Sequence, residues 1–142
     1  PDIFDKNYKF SINKAVVLKE GTDVSLITAG DILAEVMKAS EILTNHGINA
    51  EIINVPVIKP LDCGTIINSV NKTKLAVTIE NHSVIGGLGS AVCECLAADA
   101  PNKVIRIGVN DCFGQSGSPD ELLKYYGLDA VSIADRIIEL KK

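Results

Sequence analysis

Residues 78–91 read Thr-Ile-Glu-Asn-His-Ser-Val-Ile-Gly-Gly-Leu-Gly-Ser-Ala. The apolar run from Leu75 to Ile79 predicts a buried strand, and the small residues from Gly87 to Ala98 predict a helix. The turn between them carries a carboxylate, an imidazole and a cluster of glycines. Turns that follow the strands of an α/β sheet are where such proteins place functional side chains. The stretch therefore predicts an α/β fold, and its turn is the first candidate site.

Short apolar runs alternate with helical periodicity on both sides of this crossing. Further strands are predicted at Ala15–Leu18, Val24–Ala29, Ala50–Val55 and Val104–Val109, and further helices at Asp31–His46 and after Asp62, Ser118 and Asp129. Only the tight turn Glu20–Asp23 links the first two strands, which are predicted to form a pair, with the first strand antiparallel at an edge. The expected fold is a three-layer α/β/α domain with a mixed, mostly parallel sheet of about five strands.

Composition narrows the class of protein further. Hydrophobic residues make up 46% of the 142 residues but aromatic residues only 4%, which favours one domain whose sheet is buried on both faces. Lys and Arg are scattered and the net charge is −4, so no nucleic-acid partner is expected. No apolar run reaches the roughly 20 residues of a membrane span, and no signal segment opens the sequence. We therefore expect no membrane association and a cytoplasmic protein.

The four cysteines do not form a metal-binding pattern. Cys93 and Cys95 are two residues apart on a predicted helix, where their side chains point in different directions, and no C-x-x-C pair is present. Reduced thiols and no metal site are expected.

Residues 1–14 differ from the rest of the chain. They carry Phe4, Tyr8 and Phe10 among polar residues without clear periodicity, and they are predicted to be a connector from a preceding domain. The sequence begins with Pro1 instead of Met, so we expect an excised piece of a longer polypeptide. The folded domain is predicted to span residues 15–142.

The candidate site residues allow two interpretations. The amides of Gly86, Gly87, Gly89 and Ser90, at the start of a helix, could bind an anion, or the glycines could simply let the helix approach the sheet. Glu80 and His82 could form an acid/base pair, but no nucleophile or third orienting group accompanies them. Asp111 opens the loop after the last predicted strand, and this loop is expected at the same edge of the sheet as the glycine turn. The glycine turn and the Asp111 loop at one edge of the sheet suggest a contact surface.

Several blocks of sequence, taken in order, resemble the carboxyl-terminal domain of transketolases. The resemblance runs from about Gly21 onward and is greatest for the carboxyl-terminal part of two-part transketolases. Deoxyxylulose-phosphate synthase and the β subunits of 2-oxo-acid dehydrogenases are similar alternatives. The matching blocks are Gly21–Val24 with Thr28–Gly30, Lys59–Asp62, Glu80–Ser83 with Gly86–Val92, Asp111–Gly117 and Leu122–Leu128.

The resemblance implies a parent enzyme that uses thiamine diphosphate and Mg²⁺ to move a two-carbon ketol unit between sugar phosphates. In that family the cofactor is held by two earlier domains, one of them through a Gly-Asp-Gly segment, whereas here Gly30-Asp31 is followed by Ile32. Glu80 belongs to the third domain's own motif. The chain alone is therefore expected to bind no cofactor and to catalyse nothing.

The expected partners are the preceding domains or an amino-terminal subunit, within a homodimer or larger assembly. The resemblance gives this domain a structural role and leaves a regulatory one open. The alternative from another class is a free-standing module that binds a small anion or nucleotide at the glycine turn.

Overall fold

The computed structural model describes residues 3–4 and 6–141. Residues 1, 2 and 5 of the predicted connector, and the last residue of the predicted domain, lie outside the described residues. The strands are β1 (Val16–Lys19), β2 (Val24–Thr28), β3 (Ala50–Asn54), β4 (Leu75–Ser83) and β5 (Lys103–Val109). The helices are α1 (Leu33–Asn45), α2 (Cys63–Thr73), α3 (Leu88–Asp99), α4 (Pro119–Tyr125) and α5 (Ala130–Leu140), with a 3-10 turn over Gly30–Ile32 before α1.

The five strands form one mixed sheet in the order β1-β3-β2-β4-β5. The ladders from β3 through β5 are parallel, and β1 is antiparallel at the edge, as predicted. The predicted pairing of β1 with β2 is wrong, because β1 pairs with β3, with Val16 opposite Asn54. The turn between β1 and β2 crosses the start of β3: a Cβ on Gly21 would lie 2.3 Å from the backbone of Ala50. The chain therefore steps over β3 instead of folding back as a hairpin.

The alternation of side chains along the strands divides the core into two layers. Val24, Leu26 and Val77 face the layer under α1 and α5. Ile27 and Ala76 face the layer under α2 and α3. Helices thus cover both faces of the sheet, which confirms the predicted three-layer fold.

The residues after which three of the helices are predicted cap those helices. The side chain of Asp62 accepts the N–H of Thr65, Ser118 forms a capping box with Glu121, and Asp129 accepts the N–H of Ser132. These caps satisfy amides that have no partner within their own helix. The three helix starts are therefore set by local sequence.

The parallel strands place their following segments at one edge of the sheet, which we call the carboxyl rim. It consists of residues 29–32, 55–62, 84–87 and 110–118, which follow β2, β3, β4 and β5. Because β1 is antiparallel to β3, residues 11–15 also approach the sheet from this side, where the N–H of Ala15 bonds the carboxylate of Asp62 at 3.0 Å. None of the described helices has the length and apolar character that crossing a bilayer requires.

Candidate functional site

Glu80 joins the end of β4 to the start of α3. Its side chain is 2% exposed, and its two carboxylate oxygens accept the N–H groups of Leu88 at 2.8 Å and Gly89 at 3.0 Å. Neither N–H has an acceptor within its own helix, and both lie at the positive end of the α3 dipole. The carboxylate of Glu80 thus occupies the position that an external anion would take at this helix start.

His82 lies on the same side of β4 as Glu80, two residues further along. Its Nε2 is 3.0 Å from Glu80 Oε2, while its side chain is 52% exposed. One ring nitrogen therefore faces the buried carboxylate, and the rest of the ring reaches the carboxyl rim. The structure brings the predicted pair together.

The glycine turn is held close to this pair. A Cβ on Gly87 would lie 2.0 Å from Glu80 Oε2 and 2.1 Å from His82 Cε1. A Cβ on Gly89 would lie 2.8 Å from Thr78 Oγ1. Gly86 has φ 76°, and its N–H bonds Ser90 Oγ at 3.0 Å. These short distances support the interpretation that the glycines allow the helix to approach the sheet closely.

An irregularity in the β4–β5 ladder positions these residues. Ile79 is opposite Ile107, but the next paired residues are Ser83 and Val109, so four steps along β4 match two along β5. Such bulges redirect side chains and are frequent next to functional sites. Gly108 of β5 packs closely against this bulge, since a Cβ on Gly108 would lie 2.8 Å from the carbonyl oxygen of His82. Sequence reasoning missed Gly108, although a glycine inside a strand is a recognised signal for a bulge.

Asp111 stands apart from this cluster. It lies in the exposed segment 110–118, and within the described part of the chain no hydrogen bond or ion pair joins it to Glu80 or His82. The same segment carries Phe113, whose side chain is 95% exposed. Asp111 therefore shares the rim with the other predicted residues but not their contacts.

The cluster does not fit a thiamine diphosphate or Mg²⁺ site. Both oxygens of Glu80 are engaged by α3 and the space beside Gly87 is filled, so neither a free carboxylate nor a cradle is available. Among residues 3–4 and 6–141, no group of three or more His, Cys, Asp or Glu side chains could hold a metal ion.

Asn81, between Glu80 and His82, belongs to the opposite face of the sheet. It lines a pocket of about 370 Å³ on the α1 side, and its Nδ2 is 3.3 Å from Asp31 Oδ2. Sequence reasoning missed this pocket, although the two-residue period of a strand already separates Asn81 from its neighbours. The sheet therefore divides one short motif between two sites.

The fold and this rim define the class of protein: an α/β domain, wound on both faces, whose central helix is capped by a buried carboxylate. Comparison with known sequences then gives the family. The family model of the transketolase C-terminal domain matches residues 13–133, and the chain belongs to that family.

Relatives of known description agree. The chain is 49% identical over 134 residues to a provisionally named transketolase C-terminal section of Methanocaldococcus jannaschii, covering 94% of this chain and 42% of that protein. It is 45% identical over 131 residues to a 6-deoxy-6-sulfo-D-fructose transketolase subunit of Clostridium sp., covering 92% and 41%. The 1-deoxy-D-xylulose-5-phosphate synthase of Caldanaerobacter subterraneus is 39% identical over 134 residues, covering 94% and 22%.

A solved structure supports the same family. The chain superposes with a TM-score of 0.93 and 39% identity on a split-gene transketolase described as an inactive beta4 tetramer, covering 98% of this chain and 46% of that one. The chain thus spans less than half the length of each of these relatives.

Proposed function

We propose that this chain is the C-terminal domain of a cytoplasmic, thiamine-diphosphate-dependent transketolase that transfers two-carbon ketol units between sugar phosphates. In this proposal the cofactor and Mg²⁺ are bound by other domains or an amino-terminal subunit. The chain contributes packing between domains and between subunits of a homodimer or larger assembly, and it carries no catalytic group. A regulatory contribution belongs to the same proposal.

The family match supports the enzymatic part of this proposal, and the state of Glu80 carries the non-catalytic role of the chain. Glu80 is the carboxylate nearest to the glycine turn, yet both its oxygens cap α3 and its side chain is buried. An acid held in this way stabilises the rim and is not free to move protons for a substrate. This arrangement supports a structural role for Glu80 at the rim.

Exposed apolar side chains favour a contact role for the carboxyl rim. Ile58, Ile85 and Phe113 follow three different strands and are 38%, 64% and 95% exposed. Ile12, in the segment that approaches this edge, and Phe10, just before that segment, are 59% and 62% exposed. Apolar residues grouped on one side of a domain usually mark a surface that another chain or domain covers.

Activity of the complete protein tests the enzymatic part of the proposal. The complete protein, with any amino-terminal subunit, should convert a ketose phosphate and an aldose phosphate only when thiamine diphosphate and Mg²⁺ are added. If the parent is instead the synthase, a parallel assay with pyruvate and glyceraldehyde 3-phosphate should give 1-deoxy-D-xylulose 5-phosphate and CO2. A thiamine-independent reaction would contradict the proposal for either parent.

Substitutions on the rim test the packing role. Ile85→Asp in the complete protein should weaken assembly about tenfold, because a carboxylate would be buried at a contact. Ala97→Asp is the matched control, since Ala97 is also exposed but lies near the far end of α3. Sedimentation and turnover should change for the first variant only. Equal behaviour of the two variants would refute the rim as an interface.

The anion-binding module is less favoured, because the carboxylate of Glu80 already holds the amides of α3. Calorimetry of the chain with sugar phosphates and nucleotides separates the two functions. A substitution in the turn is needed as a control, but Gly87→Asp would disturb the fold, since any Cβ at Gly87 meets Glu80. Ser90→Ala is cleaner, because it removes only the hydroxyl that bonds the Gly86 N–H. Binding that Ser90→Ala abolishes would favour the module.

A further inference from the structure

The pocket beside Asn81 lies at a position where the topology of the sheet creates a crevice. From β2 the chain crosses through α1 to β3 on one side, and from β4 it crosses through α3 to β5 on the other. The order therefore reverses between β2 and β4. In α/β sheets such a switch point, outside the carboxyl ends of the strands, is where ligands bind.

The pocket is lined by Asn81 near the end of β4, by Val109 at the end of β5, by the 3-10 turn and the first turn of α1 that follow β2, and by α4 with the residues after it. Its volume of about 370 Å³ falls within the range of roughly 300–1,000 Å³ for small-molecule sites. Its walls are mainly apolar side chains that the folded chain leaves partly exposed, among them Ala34, Val109, Leu122, Leu123 and Tyr126.

The charged groups at the pocket are of one sign. Among the described residues that line it, Asp31 and Glu35 are carboxylates and none is Lys or Arg. Glu35 is already engaged, since Oε1 is 2.6 Å from Lys38 Nζ and Oε2 accepts the N–H of Ala130 at 2.9 Å. Asp31 is exposed, and within residues 3–4 and 6–141 its carboxylate accepts only from the side-chain amide of Asn81, at 3.3 Å and 3.4 Å. One carboxylate at an apolar pocket is thus left without a cation.

We propose that this pocket binds a small organic cation whose apolar body fills the space between α1 and α4 and whose ammonium group bonds Asp31. Asn81 would orient the Asp31 carboxylate and supply its side-chain oxygen as a further acceptor. Charge at Asp31 then discriminates between ligands of the same shape, because an anion meets an unpaired carboxylate. This site lies on the opposite face of β4 from Glu80 and His82, at the part of the carboxyl rim next to α1, so it requires that the contact proposed above leave Asp31 uncovered. It does not depend on thiamine chemistry.

The test uses three probes of nearly equal size: phenethylamine, 2-phenylethanol and phenylacetate. They carry the same ring with a positive, a neutral or a negative end. Titrations followed by backbone amide NMR should show saturable shifts for phenethylamine at Ala34, Asn81 and Leu123. Affinity should fall about threefold or more from the amine to the alcohol, and further to the acid, as expected for one partly exposed ion pair.

Two substitutions and a control separate charge from shape. Asp31→Asn should reduce the affinity for phenethylamine to that for 2-phenylethanol and leave the alcohol unchanged. Ala34→Leu should fill the pocket and weaken all three probes. Asp99→Asn is the matched control, since it also removes one exposed carboxylate but lies at the end of α3.

Three results would overturn the proposal. They are the absence of saturable shifts, equal affinity for the three probes, and shifts that map away from the pocket. The titration is repeated on the complete protein. Binding that occurs in the chain but not in the complete protein would show that another domain covers the pocket, and would also contradict the proposal. Loss of transketolase activity in the parent would leave these outcomes unchanged, so the two proposals fail separately.

Discussion

Gly87→Ala should destabilise the chain because its new methyl group has no room. The Cβ would lie 2.0 Å from Glu80 Oε2 and 2.1 Å from His82 Cε1. His82 is half exposed and can rotate away, but Glu80 is 2% exposed and bonded to two amides. Relief of the clash therefore requires movement of the buried carboxylate.

The size of the effect follows from these bonds. A hydrogen bond to a charged group contributes about 1.5–3 kcal/mol, so loss of one bond and weakening of the other costs about 3 kcal/mol. Alanine lowers the entropy of the unfolded chain relative to glycine and returns about 0.4–1 kcal/mol, since φ −100° at Gly87 suits any residue. The expected net loss in the free energy of unfolding is about 2–3 kcal/mol.

Urea unfolding followed by circular dichroism measures this loss, with Gly86→Ala as the matched control. Gly86 has φ 76° and nothing within 4 Å of its would-be Cβ, so its cost is only that of a left-handed backbone, about 1–2 kcal/mol. In a Glu80→Ala background the cost of Gly87→Ala should shrink, whereas that of Gly86→Ala should not. A cost for Gly87→Ala below about 0.5 kcal/mol, or one that Glu80→Ala leaves unchanged, would refute the reasoning.

Three further predictions concern polar and thiol groups in the core. Thr78→Val should raise the free energy of unfolding by about 1 kcal/mol in urea titrations, because the buried Oγ1 of Thr78 has no hydrogen-bond partner in the part of the chain that the structure describes; a loss of stability would show that the hydroxyl is satisfied. Burial raises the pKa of Glu51, but hydrogen bonds, chiefly from Lys72, outweigh burial and hold the pKa below 4.5. Since the folded pKa is the lower one, the bonds of Glu51 stabilise the fold above pH 4.5, and this stabilisation is lost as the pH falls through the folded pKa. Glu51→Gln should lower stability at pH 7 and flatten its fall with acid, and a parallel pH profile would contradict this. Burial, with a smaller contribution from a neighbouring thiol, raises the pKa of Cys95 to about 12, so iodoacetamide at pH 8 should label the exposed Cys112 well before Cys95, and mass spectrometry that finds the reverse order would contradict the prediction.

Most of the elements could be predicted from local sequence because their causes are local. Capping side chains lie within three residues of the amides they bond, as at Ser118 and Asp129. The buried strands carry apolar runs that are legible without any partner. The short link after β1 also predicted that β1 is an antiparallel edge strand. It did not predict which strand β1 pairs with. That neighbour, β3, comes 30 residues later and is selected by how the turn at Gly21 packs.

The candidate site could be predicted only in part. Glu80, His82 and Gly87 do meet, because a strand and the start of the following helix place them within seven positions of one another. Their roles depended on the bulge opposite Gly108, which is a property of two strands together. The pocket joins Asp31, Asn81 and Leu123, three segments that nothing in their local sequence connects.

By itself, the sequence determined the α/β class, the helix starts, the resemblance to the transketolase C-terminal domain and the residues of the glycine turn. Hydrophobic periodicity and helix capping act over a few residues, and the order of motifs is read directly along the chain. All three are therefore visible without a structure. The tertiary structure alone decided that Glu80 faces α3 as an internal anion while Asn81 faces an apolar pocket on the other side. A strand sends successive side chains to opposite faces, and what each meets depends on which distant helices cover those faces.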